Sequence, residues 1–305
     1  MTLTVRRIIL LCLGAIGGLL SWPLSELLLV SQAQFPSLFL FALSSGAAVG
    51  LVFGAVLGSA PGIFLAHRGR MAAGAGIGAL IGVAGGAVGF LAGQTVLLLV
   101  GEQMAAPGTR MYALAVPLAR ALGWAILGTC VGAAEGLRAR SPLKARAGAL
   151  GGLSGGLLGG LVVEYGRVVL PAEPYARLAA FVFFGLAIAA FLALVEKRLS
   201  FGVIRVLNGA HKGSEFIVNQ RRLIIGSDDR CDVVLSGYEE VQPRHFSLRV
   251  RGGEVYVSAH DGAVRWNDEL IDPDSSGAGS AAAPPPLKFE DVIAAGSVKF
   301  LYLAE

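Results

Sequence analysis

The sequence predicts an α-helical polytopic membrane bundle of about six glycine-rich spans, followed by a separate all-β sandwich. Three observations predict it. The 305-residue chain is 54% hydrophobic and only 15% charged, well below the roughly one quarter charged residues of soluble domains. Composition also breaks in two near residue 200. Residues 1–198 hold 14 Lys and Arg, 6 Glu, no Asp and 32 of the 43 glycines, whereas residues 199–305 hold 11 Lys and Arg against 15 Asp and Glu. At the same point long apolar runs give way to short alternating segments. The domains are therefore 1–198 and 199–305.

A bilayer core needs about 20 apolar residues per helix. The spans predicted on that basis are Ile8–Val30, Ser37–Leu65, Met71–Val100, Met111–Gly136, Ala147–Val163 and Leu178–Val195. Gln32 and Pro36 break a stretch free of charge from Leu27 to Ala66 and mark the first turn. The fourth span is the shortest uncharged run, because Arg120 and Glu135 lie inside it. Arg6 and Arg7 ahead of an apolar run, with Ser31-Gln32-Ala33 beyond it, have the layout of a signal peptide, but the run is too long and fits a signal anchor better.

Basic residues set the orientation. Ten fall in segments on the side of the N-terminus, from Arg6, Arg7, Arg68 and Arg70 to Lys197 and Arg198, and three, Arg110, Arg167 and Arg177, fall on the other. The expectation is a multi-pass protein of the inner membrane with both termini cytoplasmic.

Glycines recur at every fourth residue within the spans: Gly46 to Gly62, Gly74 to Gly86, Gly128 to Gly136 and Gly148 to Gly160. Such stripes let helix backbones approach closely. Packing within one bundle and a homo-oligomer or pore built on the stripes are both open readings. Arg120 is the candidate intramembrane functional residue. Glu135 lies 15 residues away on the same helix, about 22 Å at the helical rise, so the two cannot pair. Snorkelling to the interface is the alternative role for Arg120.

The basic residues cluster at loop ends of the apolar part, and the polar part is acidic, so no basic face suits a nucleic-acid backbone. Cys12, Cys130 and Cys231 share no metal-ligand spacing. Neither a metal nor a cofactor is expected.

In the second part, Val203 to Leu207, Glu215 to Val218, Arg222 to Ile225, Asp232 to Leu235, His245 to Arg251, Glu254 to Ser258 and Val298 to Leu303 read as strands. Phe246, Leu248 and Val250 alternate with polar partners, and Gly252-Gly253 closes a tight hairpin. Many short strands without a helical stretch imply a sandwich of about 100 residues. Residues 272–286 form a low-complexity insertion, DPDSSGAGSAAAPPP.

The run Ile225-Gly226-Ser227-Asp228-Asp229-Arg230-Cys231-Asp232-Val233-Val234-Leu235 resembles the third and fourth strands of a forkhead-associated (FHA) domain. Val241-Gln242-Pro243-Arg244-His245, Asp261-Gly262, Trp266 to Ile271 and Leu287 to Leu303 resemble the segments that follow, in order. The resemblance covers residues 202–304. The helical part resembles no family that can be named. FHA domains are non-enzymatic readers of phosphothreonine, so the resemblance implies a protein-interaction module and no catalysis. A catalytic role for His245, near Ser247 and Asp261, gives way to the loop-steadying role that the family assigns it.

The resemblance maps the ligand-binding loop positions onto Ser227, Arg230, Gln242, Arg244, Asp261 and Asn267, and the loop-building positions onto Gly226, His245 and Gly262. It also shows departures. The family has Arg where Ser227 stands, Ser where Gln242 stands, and Asn where Asp261 stands. Pro243 brings neither a side-chain donor nor an N–H. Arg230, Arg244 or Arg222 are the substitute cations. The resulting expectation is a membrane-anchored adaptor whose FHA-like domain meets a cytoplasmic or membrane protein, with phosphothreonine recognition doubtful. Two alternatives remain: a channel or transporter with the domain as its regulatory lid, and a structural subunit.

Overall fold

The computed structural model describes residues 1–104, 110–170, 173–235, 237–271 and 285–304; most of the low-complexity insertion lies outside them. Seven helices come first: α1 Leu3–Val30, α2 Leu38–Gly58, α3 Ala60–Phe64, α4 Arg68–Met104, α5 Arg110–Arg138, α6 Pro142–Val169 and α7 Pro174–Arg198. Taken as spans, with α2 and α3 joined, six are long and apolar enough to cross a membrane. Ser37 begins α2 by accepting from the Leu40 N–H (3.2 Å), and Ser141 begins α6 by accepting from the Lys144 N–H (3.4 Å). The expected second span is interrupted at Ser59, because Pro61 cannot donate within a continuous helix and instead starts the short α3.

The chain divides into two compact units, Arg6–Glu196 and Lys197–Glu305 grouped with Met1–Val5. Within the first, α2 and α4 run antiparallel with their glycine stripes face to face. A Cβ placed on Gly46, Gly50, Gly54 or Gly58 would lie 1.9–2.5 Å from the carbonyl oxygen of Gly86, Gly82, Gly78 or Gly74 respectively. Each step of four down one helix meets a step of four up the other. Gly128 and Gly132 face Gly152 and Gly148 across α5 and α6, and Gly14 faces Gly185 across α1 and α7. The stripes named in the sequence are thus packing surfaces between helices of one chain. Trp124, Phe53, Phe181 and Phe184 fill the centre, each at most 1% exposed.

The second unit is a sandwich. Strands β1 Val203–Val206, β2 Glu215–Ile217, β7 Val264–Trp266, β8 Glu269–Ile271, β9 Val292–Ala295 and β10 Val298–Leu303 form one sheet in the order β2-β1-β10-β9-β7-β8. Strands β3 Arg222–Gly226, β4 Val233–Val234, β5 Phe246–Arg251 and β6 Glu254–Ala259 form the other, in the order β4-β3-β5-β6. Among the described residues only β3 and β4 pair in parallel. Ile204, Ile225, Phe246, Leu248 and Phe300 are fully buried between the sheets. The alternation of β5 with inward Phe246 and Leu248 fixes its register opposite β3 and β6. That register brings Gly226, Phe246 and Ala259 to the same end, where the connecting loops gather.

Close approach makes the bundle sensitive to one methyl group. Gly82→Ala, whose Cβ would meet the Gly50 oxygen at 2.0 Å, is expected to lower the detergent-solubilised chain's melting temperature by an amount matching about 1–3 kcal/mol. Gly76→Ala, with nothing within 4 Å, is expected to leave it unchanged or raise it.

Candidate functional site: the loop end of the sandwich

Three loops meet beyond β3, β5 and β6. Gly226 ends β3 against the loop before β5; a Cβ there would lie 2.2 Å from the Pro243 carbonyl oxygen. The Ser227 N–H donates to the Gln242 carbonyl (3.0 Å) and the Asp228 N–H to the Pro243 carbonyl (3.1 Å). His245, 2% exposed, accepts from the Gln242 N–H at Nδ1 (3.1 Å) and lies with Nε2 2.9 Å from the Ala263 carbonyl. A carbonyl can only accept, so these partners fix the neutral tautomer with the proton on Nε2. Gly262 leaves room for that ring: its Cβ would sit 2.5 Å from His245 Cε1. The Arg244 N–H donates to Asp261 Oδ2 (3.2 Å), and the Asp261 N–H returns to the Arg244 carbonyl (3.1 Å). The structure therefore brings Gly226, Ser227, Gln242, Arg244, His245, Asp261 and Gly262 together, with Arg230 on the adjoining turn.

The charges and donors of this end bear on phosphate recognition. A phosphothreonine carries close to two negative charges and three acceptor oxygens, so it calls for cations and free donors. Along the sequence these loops carry Asp228, Asp229, Asp232 and Asp261 with Arg230 and Arg244, and the Arg222 guanidinium reaches His260, the residue before Asp261. The backbone donors of Ser227 and Asp228 are already engaged by carbonyls. Asp228 Oδ1 also accepts from the Arg230 N–H (2.9 Å). Cys231 is buried and its thiol donates to the Pro243 carbonyl (3.1 Å). Burial, and then Asp228 and Asp232, push that thiol up from its ordinary value, so it is a loop brace and not a nucleophile. Among the described residues no cluster of three His, Cys, Asp or Glu could hold a metal ion.

Asn267, named from the sequence, is placed elsewhere. Asn267 lies at the far end of β7, in the two-residue turn Asn267-Asp268 with φ of +47° and +72°. Its Nδ2 donates to Asp291 Oδ1 (2.7 Å), and its Oδ1 accepts from the Val292 N–H (2.8 Å). Asp291 is the centre of that corner and was missed in the sequence. Burial favours its neutral form, but donation from the Lys288 N–H, Asn267 and Trp266 outweighs this and holds the carboxyl below its ordinary value. Arg222 starts β3 at its opposite end, but its guanidinium reaches back to Nε2 of His260 (2.9 Å), the residue before Asp261; Ser247 Oγ also meets that nitrogen at 2.9 Å. Burial, and then Arg222 and Arg249, hold His260 below its ordinary value.

Arg120 belongs to the helical unit. It pairs with Glu164 of α6, Nη1 to Oε2 at 3.5 Å, a partner that spacing along one helix does not reveal. Glu135 pairs with Arg138 (3.7 Å).

Residues 205–304 match the family described as "Inner membrane component of T3SS, cytoplasmic domain". The segment is an FHA domain. Solved structures similar to it include the FHA domain of CT664 protein from Chlamydia trachomatis, 22% identical, covering 34% of this chain and 96% of that one at a TM-score of 0.28. Another is the cytoplasmic domain of the T3SS sorting platform protein PscD from P. aeruginosa, 21% identical, covering 33% and 78% at 0.28. A third is the FhaA FHA domain complexed with the intracellular domain of Rv3910, 17% identical, covering 33% and 97% at 0.27. No curated protein matches the chain.

Two outcomes are expected for the 199–305 domain. Asn267→Ala should cost about 1–2 kcal/mol of stability, by urea unfolding, because it leaves Asp291 short of a donor. His260 titrates lower folded than unfolded, so the unfolded state binds more protons as pH falls below about 6.5. Stability should therefore fall between pH 7 and pH 5, and His260→Gln should flatten that slope.

Proposed function

We propose that this chain is a membrane-anchored adaptor. Its six helices cross the inner membrane with both termini in the cytoplasm. Its FHA domain holds a protein partner there without needing a phosphate. The family description supports the location, and the distribution of basic residues supports the orientation. The observation that carries the phosphate-independent reading is the loop end: Ser227 stands where a cation would, and the Ser227 and Asp228 N–H groups are engaged by carbonyls. No reaction is assigned to a domain whose family is a protein-interaction module. Phosphothreonine binding is the second reading, favoured by the exposed Arg230 and Arg244 at the rim.

The test is a titration of the 199–305 domain with matched phosphothreonine and unphosphorylated peptide libraries. Equal affinity for both sets is expected. A tenfold or greater preference for phosphopeptides, lost in Arg230→Ala/Arg244→Ala, would establish the second reading instead. For topology, cleavage of the Gly252-Gly253 turn is expected only when protease reaches the cytoplasmic face of spheroplast-derived vesicles.

A further inference from the structure

At one end of the helical unit, where α1, α4 and α6 finish and α2, α5 and α7 begin, a cavity of about 360 Å³ opens among the helices. This is the size of an ordinary small-molecule pocket. Its apolar wall includes Phe41, Val49, Phe90 and Phe181, and its polar wall Ser45, Arg120, Glu164, Arg167 and Arg177. We propose that this cavity binds the phosphate headgroup of an anionic lipid, with Arg120 as the principal contact and the apolar wall holding the start of the chain.

The sharing of one carboxylate carries the argument. Arg177 is neutralised by Glu26 in a bidentate pair, Nε–Oε1 2.6 Å and Nη2–Oε2 2.8 Å. Glu164, only 3% exposed, is shared by Arg167 (3.3 Å), Arg120 (3.5 Å) and the Trp124 indole N–H (2.9 Å). Two guanidiniums thus rest on the Glu164 carboxylate, whereas Arg177 is acted on by two carboxylates, Glu26 and Glu173. Of the two guanidiniums on Glu164, Arg120 is the less tightly held. Its contact is the longest of the three, and its side chain is 42% exposed and faces the cavity. Nine uncharged residues, Met111 to Ala119, separate Arg120 from Arg110 at the start of α5, so Arg120 lies about 15 Å along the helix from that end. A charge placed at such depth is costly unless a partner meets it.

A second observation is independent of charge. Ser45 is one of the residues lining the same cavity, and its buried Oγ has no hydrogen-bond partner among the described residues. It is a donor in search of an acceptor. A phosphate supplies both needs: negative charge for a guanidinium fork and acceptor oxygens for a hydroxyl. The four apolar residues make a free inorganic ion a poor fit and a chain-bearing phosphate a good one. Glu164 already has three donors, so the cluster is not arranged as a proton path.

The inference rests on the helices lying in a membrane, and recovery of the full chain in the soluble fraction would defeat that reading first. The test uses the full chain purified in non-ionic detergent and titrated with short-chain phosphatidylglycerol, phosphatidylcholine of equal chain length, and inorganic phosphate, read by thermal shift and native mass spectrometry. Saturable binding of phosphatidylglycerol is expected, at least tenfold tighter than phosphatidylcholine, with no response to equal concentrations of inorganic phosphate. Arg120→Gln is expected to weaken it at least tenfold and Ser45→Ala about threefold. Ala42→Phe, which fills the cavity and leaves every charge in place, is expected to abolish it. Equal affinity for Arg120→Gln and Ala42→Phe, each still monodisperse, would overturn the site. An equal response to inorganic phosphate would overturn the lipid assignment.

Discussion

Backbone contact between glycines is the constraint on which the helical unit depends. Helices surrounded by lipid gain little from hiding apolar side chains, because the lipid is equally apolar. What remains is close packing and weak Cα–H to carbonyl contact, and both require the absence of a side chain. The pairs Gly50–Gly82 and Gly128–Gly152 meet that requirement with carbonyl oxygens where a Cβ would otherwise stand. Large rings are then confined to the centre, where Trp124 stacks edge-on against Phe90 and Phe184, with ring centroids 4.8 and 4.7 Å away. Trp124 in turn aims its N–H at Glu164, so the packing of the bundle holds the charged cluster at its end.

The sandwich uses the same device locally. Gly226 admits the Pro243 carbonyl, and Gly262 admits the His245 ring. These two approaches lock the three loops into one stiff end. The loops turn the Ser227 and Asp228 backbone donors onto the Gln242 and Pro243 carbonyls of the neighbouring loop. These engaged donors are what the phosphate-independent proposal rests on.

Much of this was legible in the sequence, for identifiable reasons. Long apolar runs report spans directly, and β5 reports its inward face by strict alternation. Strands β7 and β8, of three residues each, are too short for a period to show and were reached through the FHA resemblance. Gly226, His245 and Gly262 were reached through the same resemblance, as its loop-building positions. Asn267 was assigned to the ligand loops by its order in the family pattern. The overlooked signal was Asn267-Asp268 between two short strands, a pair suited to a hairpin turn with both φ values positive. The pairing of Arg120 with Glu164 spans 44 residues and two helices, and periodicity along one helix carries no trace of it.

The central claim, that the loop end holds its partner without a phosphate, is tested most directly by amide chemical shifts of the isotope-labelled 199–305 domain as free phosphothreonine is added. The account predicts that the Ser227, Asp228 and Gln242 amides stay in place, because the first two are donating to carbonyls and the third to His245. Saturable movement of those three amides together would contradict it.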